Sequence, residues 1–188
     1  MCGSSVERLI NETQTMNQLK VGIAGYGIVG QRRRECIERN SSMRVVAVCD
    51  RTFENDGAFS DQVRFYRDYL RLLEDDLDVL FICLTNDIAS KVTVAGLENG
   101  FHVFCEKPPG RSLEDIANVI KCEQKHPELK LMYGFNHRYH ESVKDAANLI
   151  QSKHLGKILN MRGVYGKSQL VTFNQSDWRT RRDIAGGG

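Results

Sequence analysis

The chain has 188 residues, of which 41% are hydrophobic and 27% charged, with a formal net charge of +2. That composition excludes a disordered chain, and the lack of any apolar run of about 18 residues excludes a transmembrane helix. The length suits one generous domain or two small ones.

Residues 1–18 read as a flexible leader. Ser4 to Gln18 is polar, with no apolar stretch that would make a secretory signal, so a cytoplasmic location is expected. Lys20-Val-Gly-Ile-Ala24 predicts a strand that ends in glycines. A helix follows from about Ile28 to Arg39, with Val29, Cys36 and Ile37 on one face. Arg32, Arg33 and Arg34 form the densest basic cluster. It is too short for a nucleic-acid patch and reads as a solvated helix face.

Val45-Val-Ala-Val-Cys49 is a continuous β-branched run, as expected for a strand buried on both faces. Leu77 to Leu84, Phe101 to Cys105 and Leu129 to Tyr133 predict three more strands. Helices lie between them. Ile88, Val92 and Ala95 share one face, and so do Leu113, Ile116, Ala117 and Ile120, behind a capping-box pattern at Ser112 and Asp115. Repeated βα units of this kind predict a parallel sheet covered on both sides. Beyond Tyr133 the pattern changes. Val143, Ala146, Ala147 and Ile150 mark a helix, and Lys157 to Tyr165 reads as a strand.

Gly25-Tyr26-Gly27-Ile28-Val29-Gly30 matches G-x-G-x-x-G. It follows a predicted strand and opens a predicted helix, and Asp50 closes the next strand. That context points to a dinucleotide site in a doubly wound Rossmann sheet. Gly25 permits the tight turn, Gly27 lets backbone approach a pyrophosphate, and Gly30 lets helix and strand pack closely. The helix N-terminus offers unpaired N–H groups to the anion. Asp50 is placed to accept the adenosine ribose hydroxyls and to repel a 2′-phosphate, which favours NAD. Arg51 beside it could pair with a 2′-phosphate, so NADP stays open.

Glu106-Lys107-Pro108 directly follows a buried strand, at the carboxyl edge where ligands of such sheets bind. Lys107 beside a positively charged nicotinamide would lose its proton more easily than in water, and could serve an alcohol–ketone interconversion as acid or base.

Four segments occur in order: Gly25–Gly30, Cys83–Asp87, Gly100–Pro108 and Gly134–Tyr139. Together they resemble the glucose–fructose oxidoreductase / inositol dehydrogenase / MocA family of NAD(P)-dependent oxidoreductases, over residues 18–188. The resemblance implies hydride transfer between a nicotinamide and a ring hydroxyl or ketone of a sugar, sugar nucleotide or cyclitol. It implies a cofactor site of Gly25, Tyr26, Gly27, Ile28, Val29, Gly30, Asp50, Arg51, Leu84, Thr85, Asn86, Glu106 and Lys107. Lys107 takes the position of the family's active-site lysine, and Glu106 would lie by the nicotinamide ribose. Asn136, Arg138, Trp178 and Arg179 fall on segments that border the family's substrate pocket.

Three departures stand out. Ala89 replaces a histidine and Thr85 a proline in the cofactor loop, and Glu141 replaces another proline. The family's Asp-x-Gly-x-His segment does not appear before Gly188. The chain therefore reads as a dinucleotide-binding domain over 19–134 followed by 135–188. That last stretch is the first helix and strand of an incomplete α+β substrate and oligomerisation domain. The alternative reading is a dinucleotide-binding fragment or module without turnover.

The partners expected are a sugar-like small molecule and, with the state left open, further copies of the chain. No nucleic acid, membrane or metal is expected. Six cysteines contain no C-x-x-C pair and read as free thiols in a reducing cytosol. His102 reads as a satisfied strand histidine, and Asp75, Asp76 and Asp78 as a helix end and loop. Trp178 is either part of a folded unit or an exposed tail residue.

Overall fold

The computed structural model describes residues 18–164, 166 and 178–186. The expected leader, apart from Gln18, lies outside the described residues. Strand β1 (Leu19–Ala24) leads through the glycine loop into α1 (Ile28–Glu38), and β2 (Met43–Cys49) returns beside β1. The next segment holds three short elements that the sequence pattern does not announce: β3 (Gly57–Ala58), β4 (Arg64–Tyr66) and α2 (Tyr69–Leu72). Then come β5 (Val79–Ile82), α3 (Asn86–Glu98), β6 (His102–Cys105), α4 (Leu113–Glu123) and β7 (Leu131–Tyr133). A 3-10 turn at Asn136–Tyr139 leads into α5 (Glu141–Gln151). A second 3-10 turn at Trp178–Thr180 and the short α6 (Arg182–Ala185) complete the described elements.

The strands form one sheet in the order β3-β4-β2-β1-β5-β6-β7. Every pair is parallel except β3 with β4. The order reverses at β1: the chain first builds outward through β2 and β4, then crosses to β5, β6 and β7. In a doubly wound sheet a ligand crevice opens where the order reverses, beyond the carboxyl ends of the strands.

Apolar runs drive this arrangement. Ile23, Leu80 and Ile82 are fully buried in the central strands, and Val92 and Leu97 of α3 cover one face. Ile37 of α1 closes the other face over Val21, Val45 and Val48. Each such side chain contributes about 1.5–3 kcal/mol by leaving water. The expected strand over 77–84 is shorter than its apolar run. Leu77 is buried ahead of β5, while Cys83 and Leu84 already belong to the loop beyond it.

The helices form where expected, but not all expected faces are buried: Leu113 and Ile120 of α4 are exposed and Val119 and Cys122 are buried instead, while Val29 and Cys36 of α1 are exposed and Ile37 is buried. Ser112 caps α4 by accepting from Asp115 N at 3.2 Å, but the Asp115 carboxylate takes Arg111 N at 2.9 Å, so only half of the expected capping box forms. His102 is satisfied within the sheet, its Nδ1 accepting from Lys130 N at 3.1 Å. The three aspartates before β5 have protein partners. Asp75 accepts from Tyr66 Oη at 3.1 Å, Asp76 pairs with Lys20, and Asp78 Oδ2 accepts from Lys20 N at 2.7 Å.

The expected strand over 157–165 is not found in the described residues. Residues 157–164 carry no strand pairing, and residue 165 is not described. A strand needs a neighbour to complete its ladder. Among the described residues no backbone partner reaches this segment, and Leu159, Met161 and Val164 are exposed.

Candidate cofactor and active site

The glycine loop is fixed by backbone contacts. Gly25 has φ +91°, and its N–H donates to Cys49 O at 2.9 Å. A Cβ on Gly25 would lie 2.5 Å from Cys83 O, and one on Gly30 would lie 2.0 Å from Gly25 O. Only glycine lets β1, α1 and the loop after β5 meet this closely. Gly27 is different: it is extended, caps α1, and a Cβ there would meet nothing within 4 Å. The open space at Gly27 is where a pyrophosphate could rest against backbone. No side chain caps α1 and no acidic residue stands in its first turn. Its first N–H groups and the helix dipole are thus available to an anion. Ile28 and Val29, both exposed, complete this wall.

Asp50 follows β2 and holds the loop in place. Its Oδ2 accepts from Tyr26 N at 2.8 Å, and its Oδ1 accepts from Thr52 N at 3.0 Å and Thr52 Oγ1 at 2.8 Å. A carboxylate has about four acceptor positions, so capacity for a ribose hydroxyl remains. Arg51 is exposed and faces a separate hollow of about 480 Å³ with Arg67, Arg71, Asp56 and Asp68. Tyr26 contributes its backbone to the loop, while its ring packs with Phe53 and Phe59 at centroid distances of 6.2 and 5.9 Å.

The solvated reading of the arginine cluster is corrected. Only Arg32 lies on the exposed face. Arg34 pairs with Glu38 and Asp61, donates to Tyr26 Oη at 3.0 Å, and sits over the Phe59 ring at 5.8 Å. Arg33 reaches across to Glu106. The cause is the fold: α1 packs against the sheet at the crevice, so residues three and four positions past Gly30 meet the ends of other strands. Sequence spacing along one helix does not show this.

A cavity of about 550 Å³ opens at the switch point. Gly27, Ile28 and Val29 form one side of it, and Cys83, Leu84, Thr85 and Asn86 another. Glu106, Lys107 and Pro108 form a third, with Trp178, Arg179 and Ala185 opposite. Lys107 is exposed at its edge, and the Lys107–Pro108 bond is cis. Glu106 N donates to Ile82 O at 2.8 Å, which fixes the backbone at the start of the loop. Thr85 caps α3 in extended conformation without a side-chain bond. Asn86 is 7% exposed, and its Nδ2 donates to Ala185 O at 2.8 Å, which ties the loop after β5 to α6. Arg111 reinforces the tie by donating to Asp183 O at 2.6 Å. Trp178 is half-buried, with the Arg179 guanidinium 4.7 Å above its ring. Ala89 lies on the buried face of α3 and takes no place in the cavity wall.

Two expected residues stand elsewhere. Asn136 and Arg138 are exposed on the 3-10 turn after β7, outside the lining of this cavity. Gly134, just before them, touches the site. A Cβ there would fall 2.9 Å from Glu106 Oε2. Sequence reasoning missed Cys83, Pro108 and Ala185 in the lining, and Arg33 and Gly134 beside Glu106. Burial pushes the Cys49 and Cys105 thiols up, to about 12 and about 11, so neither is a thiolate nucleophile near neutral pH. No group of three metal-ligating side chains converges among the described residues, and none of their helices is long and apolar enough to cross a membrane.

Known proteins resemble the chain in sequence and in fold. Residues 19–135 match the model of the glucose–fructose oxidoreductase / inositol dehydrogenase / MocA family, described as an oxidoreductase family with an NAD-binding Rossmann fold. Inositol 2-dehydrogenase of Salmonella typhimurium (strain LT2) is 34% identical over 159 residues, covering 81% of this chain and 47% of that protein. D-xylose 1-dehydrogenase (NADP(+)) 2 of Haloferax volcanii is 30% identical over 171 residues, covering 88% of this chain and 51% of that protein. The chain thus spans about half the length of the curated relatives it matches.

Among solved structures, scyllo-inositol dehydrogenase from Lactobacillus casei, with bound NAD(H) and scyllo-inositol, shares the fold. Its TM-score is 0.65 at 23% identity, over 74% of this chain and 42% of that one. A loop whose Gly25 and Gly30 admit no side chain, a lysine loop beside the switch-point cavity and a family match across the whole sheet lead to one conclusion: the chain belongs to this family of oxidoreductases with an NAD-binding Rossmann fold.

Proposed function

We propose that the chain carries the dinucleotide site and the active-site lysine of an NAD(P)-dependent oxidoreductase. Its substrate would be a ring hydroxyl or ketone of a sugar, sugar nucleotide or cyclitol. The observation that carries this reading is the single cavity that joins the uncapped N-terminus of α1 to Lys107. A bound nicotinamide supplies the hydride acceptor or donor. The residues of the chain do the rest. Gly25, Gly27 and Gly30, with the first turn of α1, hold the pyrophosphate through backbone N–H groups. Asp50 takes the adenosine ribose and favours NAD, while Arg51 keeps NADP within reach. Leu84, Thr85 and Asn86 form the wall beside the nicotinamide half. Lys107 Nζ takes the hydroxyl proton on oxidation and returns it on reduction. Trp178 and Arg179 line the substrate side.

Residues 19–134 act as the dinucleotide domain, and 135–188 contribute to a substrate unit. A sugar-like substrate is supported by the inositol and xylose dehydrogenases among the relatives. Buried free thiols fit a reducing, cytoplasmic setting.

Calorimetry with NADH, followed by NAD reduction assays with inositols and pentoses, tests the reading. Binding at micromolar NADH and Lys107-dependent turnover support it. No binding at millimolar NADH overturns it, and binding without any turnover selects the alternative of a dinucleotide-binding module.

A further inference from the structure

We infer that Arg33 is a positioning residue for the nicotinamide half of the dinucleotide: it holds the Glu106 carboxylate so that one oxygen faces the cavity as a ribose acceptor. The inference rests on the dinucleotide reading above and deepens it. Arg33 lies on α1, three residues past the last loop glycine. Its Nε donates to Glu106 Oε1 at 2.7 Å, and its Nη2 pairs with the same oxygen. Both donors therefore use Oε1, and Oε2 has no hydrogen-bond partner among the described residues. A fork spread over both oxygens would have taken one of the acceptor positions on Oε2.

Three features hold the pair in place. The Arg33 guanidinium sits over the Phe104 ring, 5.0 Å from its centroid, a cation–π contact that favours this position. The Glu106 backbone is anchored to β5 through Ile82 O. Gly134 packs beside Oε2, where a Cβ would fall 2.9 Å from that oxygen and force the carboxylate to shift. The Glu106 side chain is 16% exposed and lines the cavity, whereas Arg33 does not line it and acts only through Glu106. Charge gives a second reason for the pair. An unpaired carboxylate in a cavity that takes a pyrophosphate would repel it, and the guanidinium offsets that repulsion. Because α1 carries both the pyrophosphate end and Arg33, one rigid element sets the distance between the phosphate site and the ribose acceptor.

The test measures binding of three probes by calorimetry: 5′-ADP, which lacks the second ribose, ADP-ribose, which has it, and NADH. The full chain is compared with Arg33→Met, Arg33→Lys, Glu106→Ala and the Arg33→Met/Glu106→Ala double variant. In Arg33→Met, ADP-ribose and NADH should weaken about tenfold while ADP stays within about twofold, the split expected when one hydrogen-bonded contact is lost. Arg33→Lys should recover part of that loss, and the double variant should bind no more weakly than Glu106→Ala. Equal weakening of ADP and NADH in Arg33→Met would mean that α1 itself has moved, and would overturn the positioning role. Unchanged NADH binding would overturn it too. If Arg33→Met does not fold, the same split between ADP and ADP-ribose in Arg33→Lys decides the matter. A wild-type chain that binds neither ADP nor NADH overturns the dinucleotide reading, and this inference with it; binding by the wild type with the wrong split in the variant overturns this inference alone.

Discussion

Gly27→Ala should separate binding from folding. A Cβ at Gly27 meets nothing within 4 Å, and the residue is extended (φ −72°, ψ −165°), so alanine fits without strain. Two small terms oppose each other. Alanine restricts the unfolded chain, worth about 0.4–1 kcal/mol, and it is a poorer helix cap than glycine by a similar amount. Net stability should stay within about 1 kcal/mol, or roughly 2–4 °C in Tm for a chain of this size. The methyl group would nevertheless occupy the space that backbone leaves for a phosphate. An N–H···O contact near 2.9 Å pushed out by about 1 Å is no longer a hydrogen bond. Hydrogen bonds to a charged group are worth about 1.5–3 kcal/mol each, so losing one weakens binding roughly ten- to hundredfold. Gly30→Ala is the opposite case. Its Cβ would sit 2.0 Å from a backbone oxygen, so β1 and α1 must separate, at a cost above about 3 kcal/mol. Urea denaturation and NADH titration of the two variants provide the assay. If Gly27→Ala bound NADH as tightly as the wild type, the assignment of the pyrophosphate to this loop would be refuted.

Three other outcomes follow from the same geometry. Lys107→Met should bind NADH within about threefold of the wild type but lose about 10²–10⁴ in turnover, measured by NADH absorbance with the best polyol; a comparable loss in binding would place the lysine in cofactor capture instead. Asn86→Ala removes the bond to Ala185 O and should cost about 0.5–1.5 kcal/mol, seen as faster amide exchange over 178–186 with β5 unchanged. Exposed Cys36 should react with a thiol reagent at pH 8, while Cys49 and Cys105 wait for unfolding. Burial holds those two thiols above their unfolded values, so their contribution to stability is full below about pH 8.5 and falls as pH rises toward 11 and 12. The urea midpoint should therefore drop between pH 8 and pH 10, less so in Cys49→Ala; an equal drop in both would count against this account.

Much of the fold is legible in the chain. Long apolar runs and the helical spacing between them mark β1, β2, β5, β6 and β7 and the helices α1, α3, α4 and α5, because burial on both faces of a parallel sheet leaves few polar positions. The β3–β4 excursion is not legible. Arg64-Phe-Tyr66 is three residues long, and its strand character comes from its neighbour β2, not from its own pattern. The reverse holds for 157–164, where a strand-like pattern lacks a partner among the described residues and does not become a strand.

The site divides along the same line. Gly25, Gly27, Gly30, Asp50 and Lys107 can be read from spacing, because backbone geometry at a glycine loop and the position of a loop after a strand are local properties. The Asp50 bond to the Tyr26 amide, the Asn86 tie to Ala185 and the Arg33–Glu106 pair cannot be read that way. Their partners are 24, 99 and 73 residues apart in sequence. Sequence by itself determined the βα alternation, the phosphate loop and the family. Tertiary structure alone decided which charged side chains leave solvent, because pairing across that distance exists only once the sheet has brought the strand ends together.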